Sequence, residues 1–161
     1  MTTDTTTPSA KPAATKSVLK LQSLRADIQR QNDGDWVDVP GYPGIRLKVR
    51  ALSYTPYQNA LQKLIERVNA EAKKALKVGR SYDKVEAMDR GNGLLLATMI
   101  LQDWDGFDTA YSPEVTAELL PEPEWRELRT MVVGAASILG QVEGEWEEQA
   151  VGNSAAPSAT A

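Results

Sequence analysis

Cysteine and histidine are both absent from the 161 residues of this chain. Without cysteine there is no disulfide, no thiolate zinc site and no cysteine nucleophile. Without histidine the commonest general base and the commonest transition-metal ligand are gone, and a Ser-His-Asp triad cannot be assembled. Neither GxGxxG nor GxxxxGK[ST] occurs, so the glycine-rich phosphate loops are missing too. Long apolar runs are scarce. The best, Leu94 to Leu101, is about 8 residues against the roughly 20 of a membrane span. The N-terminus lacks the apolar region of a signal peptide and the Arg-rich pattern of a transit peptide, so a soluble, cytoplasmic chain is expected. Only carboxylate, lysine and tyrosine chemistry remains. The expectation is a non-enzymatic protein without cofactor or metal.

The ends are compositionally poor. MTTDTTTPSAKPAATKS and AVGNSAAPSATA are dominated by Thr, Ala, Pro and Ser. Such segments bury too little apolar area to offset ordering entropy. Residues 1–17 are therefore expected to be a disordered tail, and 143–161 an acidic and then low-complexity tail. Between them, 18–142 is expected to form a single domain. Charge is unevenly spread along it. Residues 1–102 hold 16 Lys/Arg against 10 Asp/Glu, while 103–161 hold 2 against 12. The asymmetry suits two partners, two faces that attract each other within the fold, or a merely dipolar surface.

The interior reads as α+β: mainly helical, with a small N-terminal β-hairpin and about four helices. Leu19, Leu21 and Leu24 precede a polar segment, RADIQRQNDG, and leave a strand or a helical turn open. A hairpin is predicted over about 36–52. Trp36, Val37 and Val39 run into Pro40-Gly41 and Pro43-Gly44, and Ile45, Leu47 and Val49 then alternate with Arg46, Lys48 and Arg50. That cationic face either meets phosphates or an acidic protein, or keeps an exposed sheet soluble. The acidic pI and the lack of interleaved aromatics speak against nucleic acid.

Helices are predicted over about 56–78, 82–104, 113–120 and 124–139. The first has Thr55 as N-cap and Gln58 closing a capping box, with a stripe from Tyr57 through Leu64 and Val68 to Leu76. The second contains Gly91 and Gly93, which weaken or kink it, and then "LLLATMILQDW", apolar on nearly every side. Ser112-Pro113-Glu114 opens the third by capping, by proline at the first position and by acid at the positive dipole end. Trp125, Leu128, Met131, Val132, Ala135, Ala136 and Leu139 give the last its apolar face.

"LQDWDGFDTAYSPEV", residues 101–115, carries the one candidate metal loop. Counted from Asp103, Asp105 and Glu114 fall at positions three and twelve of a calcium loop. Position five is Phe107, which offers no side-chain oxygen, and position six is Asp108 where glycine is needed. A catalytic carboxylate pair from Asp103, Asp105 and Asp108 has no acid/base partner nominated elsewhere. The simpler reading is a corner between helices. Gly106 turns, the aspartates solvate, and Trp104, Phe107 and Tyr111 pack.

The succession "GDWVDVPGYPGIRLKVRAL", a helix, "LLLATMILQDWDGF" and "YSPEVTAELLPEPEWRELRTMVVGAAS" resembles the tail assembly chaperones of tailed phages and prophages, over about residues 19–140. The matching positions are Trp104, Gly106, Tyr111, Ser112, Glu114, Leu119, Leu120, Pro123, Leu128 and Arg129. The resemblance implies a non-enzymatic chaperone in the host cell cytoplasm that binds the tape measure protein while the tail tube polymerises around it. The tail tube protein and further copies of the chain are the other partners expected; a membrane is not. The alternative is a virion component such as a head–tail adaptor or connector subunit. The residues expected to contact a partner, in the helix-in-groove manner, are Trp104, Phe107, Tyr111, Leu119, Leu120, Trp125 and Trp146. The last, amid Glu143, Glu145, Glu147 and Glu148, reads either as a docking motif or as a helical turn folded onto the basic half.

Overall fold

The computed structural model describes residues 15–142 and 146–150. What was expected of 1–14, 143–145 and 151–161 lies outside the described residues. The architecture is α+β, helices with two small antiparallel sheets. The chain divides into two units, a continuous body of Ala26–Gln141 and a unit made by the two ends, Met1–Arg25 with Val142–Ala161.

In the terminal unit β1 (Thr15–Leu19) pairs antiparallel with β5 (Trp146–Ala150), Leu19 opposite Trp146 and Thr15 opposite Ala150. Residues 15–17 and 146–150 therefore differ from the tails expected there, and the turn at Trp146 is extended rather than helical. A strand is stabilised by its partner, and here each partner lies at the opposite end of the chain, where local composition cannot register it.

The body begins with α1 (Ile28–Asp33), capped by the Asp27 carboxylate, which accepts from Arg30 N at 3.0 Å. Its buried Gln31 is a tie-point. The amide nitrogen donates to Gly140 O at 3.3 Å, the amide oxygen accepts from Ser53 Oγ at 3.4 Å, and the carbonyl accepts from Ala51 N. The hairpin then forms as expected from β2 (Asp35–Asp38) and β3 (Arg46–Val49), with Val37 opposite Leu47. Leu47 and Val49 are fully buried and Arg46 is exposed, so the period of two holds.

α2 (Thr55–Lys77) occupies the expected stretch, but not with the expected cap. Tyr54 is the N-cap, and Gln58 reaches past it to donate to Leu52 O at 2.5 Å. The capping box does not form, because Thr55 is already helical. Tyr57, Leu64 and Val68 are buried, whereas Leu76 is 79% exposed: the apolar stripe outruns the core it packs on. α3 (Lys84–Leu95) starts on Asp83, which accepts from Val85 N and Glu86 N. The helix continues through Gly91 and Gly93. These glycines are packing positions, since a Cβ on Gly91 would meet the Leu64 side chain and one on Gly93 would meet the Leu120 carbonyl.

The predicted helix over 82–104 does not reach its end. After α3, Leu96–Ile100 is a π-helical turn, and Leu101–Asp105 is a strand, β4, completing a β2–β3–β4 sheet. Val49 lies opposite Leu101 and Lys48 opposite Asp103, so Gln102 is an extra residue in a bulge. The bulge resets the alternation and turns both Leu101 and Trp104 inward. Apolar residues three apart normally signal a helix; here they signal a bulged strand.

α4 (Pro113–Leu119) begins on Ser112 as expected, the hydroxyl accepting from Val115 N at 3.4 Å. A 3-10 turn, Pro123–Trp125, leads into α5 (Arg126–Gly140), so Trp125 precedes the helix it was assigned to. Leu47, Val49, Leu96, Ile100, Leu120 and Val132 form the fully buried centre, drawn from both sheet and helices.

Two glycine substitutions test this packing in opposite directions. Gly93→Ala is expected to destabilise the fold by about 1–3 kcal/mol, since the methyl must displace backbone rather than a flexible side-chain end. Gly134→Ala, in α5 with nothing within 4 Å of the added Cβ, is expected to stabilise by about 0.5–1 kcal/mol through helix propensity. Urea denaturation midpoints give both signs.

Candidate apolar cleft beside the bulged strand

Residues 105–111 reverse the chain after β4. Gly106 adopts φ +94°, and a Cβ there would run into the Gly44 carbonyl oxygen at the hairpin turn. Only glycine meets both demands. The indole of Trp104 then becomes the pivot. Its Nε1 donates to Thr109 O at 2.7 Å, closing the loop. Phe107 and Tyr111 both meet the ring edge-to-face, at centroid distances of 5.2 and 5.5 Å. Tyr111 donates in turn to Leu101 O at 3.3 Å, and burial pushes its phenol above the usual tyrosine range, which keeps the donor proton in place. The corner expected from sequence exists, but it joins a strand to a helix.

The three aspartates of this stretch go separate ways. Asp103 accepts from the backbone N of Trp104 at 2.8 Å, Asp105 pairs with Arg46 at 3.2 Å, and Asp108 accepts from Thr109 Oγ1 at 3.2 Å. Glu114 is held by the Ser112 hydroxyl at 2.6 Å, which lowers its pKa. Among the described residues, no three or more carboxylates converge where they could hold a metal ion.

Beside the corner lies a cleft of about 360 Å³ between the 105–109 loop, the end of α4 and the start of α5. Its buried wall is Trp104, Leu128 and Met131, with Phe107 and Leu119 half-buried. Trp125, 43% exposed, stands at its edge. The charged residues lining it are all acidic: Asp108, Glu124 and Glu127. Glu127 also accepts a 2.6 Å hydrogen bond from Tyr42, whose phenol pKa rises in consequence.

The structure thus brings together Trp104, Phe107, Leu119 and Trp125 of the residues expected to touch a partner. Tyr111 supports them from behind Trp104. Leu120 is different: it is fully buried in the core and therefore unavailable to a partner. It faces inward because it closes α4, with its carbonyl accepting from Arg129 at 2.9 Å. Trp146 lies on β5 in the other unit, and its side chain is outside the described residues. Leu128 and Met131 were legible only as the apolar face of a helix; nothing in a 3.6-residue stripe tells a wall residue from a core residue.

The cationic face of β3 is partly absorbed within the fold. Arg46 pairs with Asp105 and sits 5.1 Å from the Trp36 ring. Arg50 donates to Asn32 O and Met99 O and lies 4.8 Å from the ring of Tyr54. Lys48 is opposite Asp103. No protein-family model, curated protein or solved structure matches this chain.

The two tryptophans of the cleft should separate in stability measurements. Trp104→Phe removes the indole donor and leaves Thr109 O without it, an expected loss of about 1–3 kcal/mol. Trp125→Ala, at an exposed edge, should move the denaturation midpoint by no more than about 0.5 kcal/mol in equivalent stability.

Proposed function

We propose that this chain is a non-enzymatic binding protein that holds an amphipathic, basic helical segment of a client in the Trp104–Trp125 cleft. Following the family resemblance of its sequence, the client is the tape measure protein and the chain a phage tail assembly chaperone acting in the host cytoplasm. The observation that carries the reading is the cleft itself. It combines an aromatic and aliphatic wall with three carboxylates and no cation. Such a lining suits a helix presenting apolar side chains along one face and lysine or arginine beside them. Carboxylates at the border of an apolar cleft speed encounter and select the sign of the partner. With neither histidine nor cysteine in the chain, and with the aspartates of the corner each occupied separately, binding explains the site better than catalysis does. Among the described residues no helix is long and apolar enough to cross a membrane.

The test is a titration of the full chain with a synthetic amphipathic peptide taken from the helical repeats of a tape measure protein, followed by tryptophan fluorescence and calorimetry. Saturable binding is expected, weakened about tenfold by Trp125→Ala, as for an aromatic residue covered by the partner on binding, and weakened by salt. The protein should copurify with tape measure fragments and be missing from finished particles. Its recovery in stoichiometric amount from purified virions would support the adaptor reading and sink this one.

A further inference from the structure

The far end of α2 is the counterpart of this cleft. Leu76 and Val78 are 79% and 67% exposed, among the most exposed large apolar residues of the body. Around them stand Lys73, Lys74, Lys77 and Arg80, all exposed, and none forms an ion pair among the described residues. Lys73 lies one turn before Leu76 and shares its face. The helix tip therefore presents apolar side chains set among cations, the chemistry that the acid-lined cleft would select. It is not seated in the cleft of its own chain, as the exposure of Leu76 shows.

We propose that the α2 tip of one copy docks in the Trp104–Trp125 cleft of a second copy, so that the protein associates with itself head-to-tail and a client must displace that tip. The inference rests on the reading of the cleft as a helix-binding site and adds an internal competitor for it. Lys73 and Lys77 meet Glu124 and Asp108, while Leu76 enters against Trp125 and Leu119. The contact is heterologous, because tip and cleft are different surfaces of one chain; it propagates unless rotation closes it into a ring. A single helix end in a 360 Å³ cleft is a small interface, so the association is weak and reversible. Its charged part is exposed and therefore screened by salt.

Sedimentation velocity of the full chain over a concentration series, at low and high salt, reads the association directly. Wild type is expected to shift from monomer to larger species with concentration at low salt and to shift back at high salt. The tip variant Leu76→Asp/Lys77→Glu and the cleft variant Glu124→Lys/Trp125→Ala should each sediment as monomers. Mixed together they should form a one-to-one dimer, since the intact cleft of one receives the intact tip of the other. All four substituted positions are exposed, and circular dichroism verifies that both variants remain folded. Added amphipathic peptide should return wild type to monomer. A monomeric wild type at every concentration, association that survives either variant, or a mixture that stays monomeric overturns the proposal. Peptide binding by the tip variant separates the two readings. If the peptide binds while wild type never self-associates, only the self-docking fails. If the peptide does not bind, the cleft reading fails beneath it.

Discussion

The body of this protein depends on the pairing of β4 with β3. Leu47 faces Trp104 and Val49 faces Leu101, and this pairing places two inward-pointing apolar residues against fully buried strand positions. The exchange of helix for strand at Leu101 leaves carbonyls at the end of the π turn without helical partners. Arg50 satisfies them twice, its backbone N donating to Ile100 O at 2.9 Å and its guanidinium to Met99 O at 3.0 Å. Without that capping, ending a buried helix here would leave unpaired polar groups in the core, each costing about 1–3 kcal/mol. The same arginine therefore closes the helix and anchors the sheet. The loop side of the cleft follows from where β4 stops, since Gly106 turns against the hairpin and Trp104 fixes the returning loop.

The uneven charge of the sequence resolves in the same geometry. A few charges of the basic first half meet the acidic second half inside one body: Arg46 with Asp105, Arg90 with Glu122, and Asp89 with Arg129 in the opposite sense. Most of these pairs are half exposed and individually worth at most about 1 kcal/mol. Their joint effect is on register and orientation, because each joins elements far apart in sequence. Outside these pairs, one cluster of exposed cations stands at the far end of α2, and three carboxylates line the apolar cleft.

The extent to which the sequence disclosed this depends on the range of the interactions involved. Most local signals read correctly, the capping box at Thr55 and Gln58 being the exception. Ser112-Pro113-Glu114 starts α4, Pro-Gly pairs punctuate the hairpin, and Leu47 and Val49 alternate with Arg46 and Lys48, because in each case the determining atoms lie within a few residues. Long-range determinants were hidden. "LQDW" has the apolar spacing of a helix, and only its pairing with β3 and the bulge at Gln102 make it a strand. Gly91 and Gly93 looked like positions that weaken or kink the helix because their reasons, Leu64 and the Leu120 carbonyl, lie elsewhere in the chain. β1 and β5 were invisible for the same cause. In the site, the aromatic residues announced themselves by type, whereas Leu120 misled. Two leucines in a row at a helix end face in different directions, and only one of them can line a cleft.

That division between Leu119 and Leu120 states the design of the molecule in miniature. Leu120 belongs to the core, whose close packing admits little change. Leu119, one residue earlier, sits half-buried in the lining of the cleft, where packing constrains it less. Trp104 spans both domains of responsibility: its buried ring carries the loop by one hydrogen bond and two edge-to-face contacts, and the same ring forms a wall of the cleft. A cleft built on such a residue is fixed at its base, while Trp125 and the carboxylates at its edge are exposed. A preformed apolar floor reduces the entropy lost on any association, and exposed carboxylates at its border favour a partner of opposite charge.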